Sequence, residues 1–137
     1  GKGEYGQITL LAPSNRAIMT YMFNNNVRWV NEIPAAGCRR LLEKLISPQR
    51  ILTSDVPRGS RSETNGEKTG GKTYSLMDGS EAFLWTFQES YLGVGNAGAV
   101  HLWFFIEKFA TSRRIYSSNI QTENGVVQAL GHDFLFE

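Results

Sequence analysis

The 137 residues are enough for one domain, and their 41% hydrophobic and 20% charged side chains exclude a disordered chain. A formal charge of +1 argues against a dedicated nucleic-acid module, and no stretch approaches the ~20 apolar residues of a membrane helix. With one cysteine, Cys38, there is no intrachain disulfide and no cysteine metal site.

Taken in chain order, Gln7–Ala12 is short, apolar and β-branched, which predicts a buried strand ended by Pro13. Ser14 caps a helix running to about Phe23, with Ile18, Met19, Met22 and Phe23 as its apolar face. Asn24, Asn25 and Asn26 stop it, because their side chains compete for backbone hydrogen bonds. A second helix is predicted over Ala35–Ile46, its apolar side formed by Leu41, Leu42, Leu45 and Ile46. Pro48 closes that helix and Gln49–Thr53 follows as a strand. Residues 58–72 are almost free of apolar side chains and predict an exposed basic loop.

The chain then turns to strands. Thr73–Met77 and Glu81–Phe87 predict a hairpin around Asp78-Gly79, with Phe83, Trp85 and Phe87 sharing one sheet face. Strands at Ala99–Phe109, Ile115–Gln121 and Val126–Leu130 complete the set, the last two joined through Asn124-Gly125. Helices in the first half and strands in the second make an α+β layout, and the first strand is expected to pair with the late ones.

Few residues offer chemistry. His101 sits inside an apolar strand and His132 beside Asp133, and neither lies in a catalytic spacing. A small hydrolase using His101 or His132 is therefore one alternative, recognisable by a cleft where a histidine meets an acid or a nucleophile. A nucleic-acid binder using the loop 58–72 is the other, and it needs Arg58, Arg61, Lys68 and Lys72 on one face. Gly93-Val94-Gly95-Asn96-Ala97-Gly98 has the spacing of a dinucleotide loop, but a strand-like segment follows where a helix is required. It reads as a hairpin loop. Trp85 and Trp103 read as core rather than as a carbohydrate platform.

Four segments, in order, resemble the fasciclin domain family. Ile8–Ile18 is similar to the family's opening strand-to-helix signature, and Leu41–Ile51 to its helix-to-strand passage. Thr53–Val56 continues that passage, and Asn119–Leu130 is similar to the closing hairpin with its Asn-Gly. The resemblance implies a single fasciclin-like domain over 1–137, an α+β fold with a β-sheet core or sandwich and helices packed at one end. It also implies a pair of helices ahead of the opening signature, where only Gly1–Gly6 stand, and a chain opening on Gly rather than Met reads as a trimmed piece.

The function implied is a non-enzymatic extracytoplasmic module for adhesion, binding or surface assembly. It needs no cofactor and no metal, and its partner is a protein or polysaccharide at the cell surface. Nucleic acid is not expected, and a membrane only through an anchor outside this chain. The family's adhesive Tyr-His falls on Lys44-Leu45, and the Asp-Ile of integrin recognition falls on Asn119-Ile120. Without that carboxylate no group remains to ligate an integrin's metal ion. Partner contact is expected at Lys44, Pro48 and Arg50, with Arg58 and Arg61 of the loop as a second surface.

Overall fold

In the computed structural model, which describes residues 7–95, 97–107, 112–131 and 133–136, the apolar opening segment forms β1 (Ile8–Ala12). Ser14 caps α1 (Asn15–Asn24), its hydroxyl accepting from the Ala17 amide at 3.2 Å. The helix ends at the asparagines: Asn25 is the C-cap and Asn26 takes a left-handed φ of 57°. Its buried face differs from the expected one. Ala17, Ile18 and Tyr21 pack inward, whereas Met19 and Phe23 are exposed. The small Ala17 lets the helix approach the core closely, and Tyr21 reaches Phe136 edge-on at 5.9 Å.

The second helix, α2 (Ala35–Glu43), is shorter than predicted. Leu45 is fully buried, and Ile46–Ser47 forms β2 against β1 instead of another helical turn. The strand expected at Gln49–Thr53 is absent for a physical reason. Thr9 Oγ1 accepts from the Ile51 amide at 2.8 Å and donates to the Gln49 carbonyl at 2.7 Å. Gln128 Nε2 donates to the Ile51 carbonyl at 2.9 Å. Two buried side chains thus do the work of a neighbouring strand, and Ile51 still reaches the core.

Residues 58–72 are not an unstructured loop. β3 (Gly59–Arg61) and β4 (Lys68–Gly70) pair antiparallel as a separate two-stranded ribbon. Gly70 and Gly71 both take φ near 60°, and a Cβ on Gly71 would stand 2.7 Å from the Phe83 ring. That double left-handed step turns the chain directly into β5 (Lys72–Ser75) and presses the ribbon onto the sheet.

β6 (Glu81–Gln88), β7 (Val100–Ile106), β8 (Arg113–Thr122) and β9 (Gly125–Leu130) follow. The seven-stranded sheet runs β2-β1-β9-β8-β7-β6-β5, with β1 parallel to β9 and the other neighbours antiparallel. The first strand therefore joins the late ones, as its apolar isolation required.

The sheet is continuous rather than a sandwich of two. β8 carries irregularities between Ile115 and Ser117 and between Ser117 and Ile120, and among the described residues it pairs with β7 at Arg113 and Arg114. Those bulges bend the strand so that both halves of the sheet wrap one core. That core combines Leu11, Leu45 and Ile51 with Leu84, Leu102, Phe104, Ile115 and Leu130. Phe134 and Phe136, beyond the last strand, close it. This is an α+β architecture, strand-rich beyond residue 72 as the sequence predicted. No helix among the described residues is long and apolar enough to cross a membrane.

Candidate functional site

Strand β6 is buried on both faces over Ala82–Thr86, which a one-sided sheet does not need. Ala82, Leu84 and Thr86 face the main core. Phe83, Trp85 and Phe87 face the other way, opposite Phe105, Trp103 and His101 of β7. The expected aromatic face is real, and it holds a second small core of Phe83, Trp85 and Phe105 with Trp103 packed against it. Trp85 stacks on Phe83 at 5.2 Å and on Trp103 at 6.1 Å.

The β3–β4 ribbon roofs this face with the stems of its cations. The Arg61 guanidinium lies 3.5 Å from the Phe105 ring centre, and Lys68 Nζ sits 5.5 Å from Phe83 and 5.7 Å from Phe105. Between ribbon and sheet a cleft of about 340 Å³ opens, lined by Ser60, Arg61, Glu63, Trp85, Phe87, Trp103 and Ser112. Its walls are mainly apolar, with Trp85, Phe87 and Trp103 as the aromatic part. Its polar groups form one connected cluster: Arg61 donates to Glu63 at 2.7 Å and to Ser112 Oγ at 3.3 Å, and Ser112 donates to Glu63. Two buried donors on lining residues, Trp103 Nε1 and Arg61 Nε, have no acceptor among the described residues. A mainly apolar pocket with a few converging polar groups is the ordinary form of a binding site.

The hydrogen bond from Ser112 holds the Glu63 carboxyl below the usual carboxylate range, assisted by the Arg61 charge. A depressed native pKa means stability that is present above the unfolded value and lost as pH falls through the native one. The stability difference between wild type and Glu63→Gln should therefore be seen at neutral pH and vanish in acid. Urea midpoints measured from pH 7 down to pH 3 check this; a gap that is constant with pH refutes the ion-paired roof.

The predicted partner residues fall into two groups that the fold keeps apart. Lys44 is the half-buried C-cap of α2, Pro48 is exposed, and Arg50 is held by the amide oxygens of Gln7 at 2.7 Å and Gln121 at 2.5 Å. Arg58 instead donates to Thr86 Oγ1 at 3.0 Å and Gln88 at 3.4 Å, and Arg61 covers Phe105. Both loop cations thus bond or cover the scaffold; Arg61 is largely buried there, whereas Arg58 stays exposed. Nor do the four cations of the nucleic-acid reading share a face. Arg61 and Lys68 cover the outer aromatics, whereas Lys72 lies over Tyr74 of the main core.

The hydrolase reading meets a partial match. His101 Nε2 is 2.9 Å from Glu89, an acid within reach, while Arg114 Nη1 stands 3.4–3.5 Å from both ring nitrogens. Among the described residues those are the ring's hydrogen-bonding partners, and neither is a nucleophile. His132 lies outside the described residues. Asn119 is structural: at φ 60° its Oδ1 accepts from the Thr53 amide at 2.9 Å and from Gln128 at 3.2 Å.

Sequence reasoning missed the cleft because it treated 58–72 as solvent-facing. The available signal was the run Ala82-Phe83-Leu84-Trp85, apolar at successive positions and so on both strand faces, which asks for a cover on each side, with 58–72 a segment rich in long cationic stems.

No protein-family model and no curated protein sequence matches the chain. Among solved structures it resembles a FAS1 domain pair from the insect cell adhesion molecule fasciclin I, with a TM-score of 0.55 at 17% identity. The match covers 92% of this chain and 36% of that one, so this chain spans about a third of the insect protein's solved length. The fold is fasciclin-like.

Proposed function

We propose that the chain is a non-enzymatic binding module of the adhesion type, acting outside the cytoplasm, and that it engages a protein partner through the outer aromatic cleft. The fold likeness supports the role class, and the cleft under the β3–β4 ribbon is the observation that carries the site. A cavity of about 340 Å³ seats one large apolar side chain, the kind of anchor on which protein interfaces concentrate their energy. Arg61, Glu63 and Ser112 at its rim offer hydrogen bonds to the anchor's backbone. Phe87, half exposed at the mouth, extends the apolar contact.

The surface of Lys44, Pro48 and Arg50 is the second candidate. Its merit is rigidity, since Arg50 is pinned by Gln7 and Gln121 and loses little freedom on binding.

One experiment tests both. The ¹⁵N-labelled chain is titrated with N-acetyl-phenylalaninamide as a mimic of the anchor, and cell attachment to coated protein is measured in parallel. The indole resonances of Trp85 and Trp103 should shift and that of Trp29 should not, because Trp29 is exposed and outside the cleft. Phe87→Asp should reduce attachment at least about tenfold without unfolding the chain. Unchanged attachment by folded Phe87→Asp rejects the cleft, and loss on Lys44→Glu with Arg50→Glu transfers the site to the other surface.

A further inference from the structure

The connection between β6 and β7 ends in a feature that the fold does not need. Tyr91 and Val94 exchange both backbone hydrogen bonds at 2.9 Å, so Leu92 and Gly93 form a two-residue turn with φ of 52° and 80°. Such a turn selects Asn-Gly or Gly-Gly, because both central residues must be left-handed. Leucine is disfavoured there by contact of its Cβ with the following carbonyl. Leu92 is nevertheless at the apex and 85% exposed, with Tyr91 and Val94 each 61% exposed beside it. The chain thus accepts both backbone strain and apolar exposure at one projecting point. Strain of that kind, with no packing to offset it, marks function.

We infer that this tip inserts into the interface of a lipid bilayer. Ser90–Val100 contains no Asp, Glu, Lys or Arg, so nothing charged has to be dehydrated on entry. Leucine and valine at the point with a tyrosine alongside follow the depth order of an interfacial anchor, aliphatic below and aromatic at the headgroups. Below the tip stand the cations that would meet anionic headgroups. Arg58 bonds Gln88 at the last paired rung of the hairpin, and Arg114 lies against His101. Glu89, bonded to His101, offsets part of that charge, so attraction to anionic lipid is modest. A protein partner fits less well, since three side chains at a narrow tip bury a few hundred Å² at most, below the roughly 1,000 Å² of a specific interface. The sequence reading allowed membrane contact only through an anchor outside the chain; the tip supplies a contact within it.

The test is co-sedimentation of the 137-residue chain with vesicles of phosphatidylcholine, alone and mixed with phosphatidylserine. Wild type should sediment with both, more with the anionic mixture. Leu92→Gly should lower partition at least about tenfold. The same variant should raise the melting temperature by about 3 °C, because glycine relieves the left-handed strain. That rise separates a lost membrane contact from a damaged fold, and it leaves the aromatic cleft untouched. Failure of wild type to sediment with either vesicle overturns the inference. So does Leu92→Gly partitioning like wild type, which would place any lipid contact elsewhere on the surface.

Discussion

Replacing Gln128 with leucine is expected to destabilise the chain by about 3 kcal/mol, although the new side chain is apolar and similar in size. Gln128 is fully buried and each end of its amide is in use. Nε2 donates to the Ile51 carbonyl and to Asn119 Oδ1, and Oε1 accepts from the Asn119 amide at 2.9 Å. Leucine fills the space but leaves the buried Ile51 carbonyl without its partner, at about 1–3 kcal/mol, and removes the acceptor of the part-buried Asn119 amide. The Asn119 bulge loses its support at a left-handed φ, so the bend that lets β8 serve both halves of the sheet should loosen. Urea unfolding followed by far-ultraviolet circular dichroism measures the cost. A loss below about 1 kcal/mol would show that Gln128 does not hold segment 49–53 in place of a strand.

Gly125→Ala is expected to be more damaging still, by about 4 kcal/mol or more, while Asn124→Ala should cost less than about 1 kcal/mol. As a sequence pair Asn124-Gly125 reads as a tight turn whose two residues supply positive backbone angles. The structure divides the roles differently. The turn apex is Glu123-Asn124, where Thr122 Oγ1 accepts from the Asn124 amide at 3.3 Å, and only Gly125 of the pair has positive φ, at 152°. Gly125 is already the first rung of β9, beside Ile8 of β1. A Cβ there would stand 1.9 Å from the Ile8 carbonyl oxygen. Backbone cannot yield as a side chain can, so alanine must push β1 away and break the parallel ladder from Ile8 to Ala12. Hydrogen exchange at Ile8, whose amide donates to the Asn124 carbonyl at 3.1 Å, is the readout. If Asn124→Ala matches Gly125→Ala in cost, the glycine serves the turn and not the strand packing.

Much of the fold was legible because local chemistry and tertiary context agree. Ser14 caps its helix, the three asparagines end it, and Asp78-Gly79 turns the β5–β6 connection, with Gly79 at φ 92°. Alternation in Phe83-Leu84-Trp85-Thr86-Phe87 placed three aromatics on one face because strand geometry leaves no other choice.

Where packing chose among locally equivalent options, the sequence could not decide. Met19 and Phe23 suit an apolar helix face as well as Ala17 and Tyr21, yet the core takes the small residue because close approach wins over larger side chains. Ile51 has a strand's neighbours, but Thr9 and Gln128, 42 and 77 residues away, satisfy its backbone and make a partner strand unnecessary. The cleft depends on the same kind of distant choice. Polar residues 58–72 carry no apolar pattern of their own, and they become a roof only because Phe83, Trp85 and Phe105 present an uncovered face for arginine and lysine stems. The sequence by itself determined the strands, the caps and the shared aromatic face, since each follows from backbone geometry within a few residues. The tertiary structure decided which segment covers that face, because Arg61 over Phe105 is a contact between residues more than forty apart that neither segment specifies by itself.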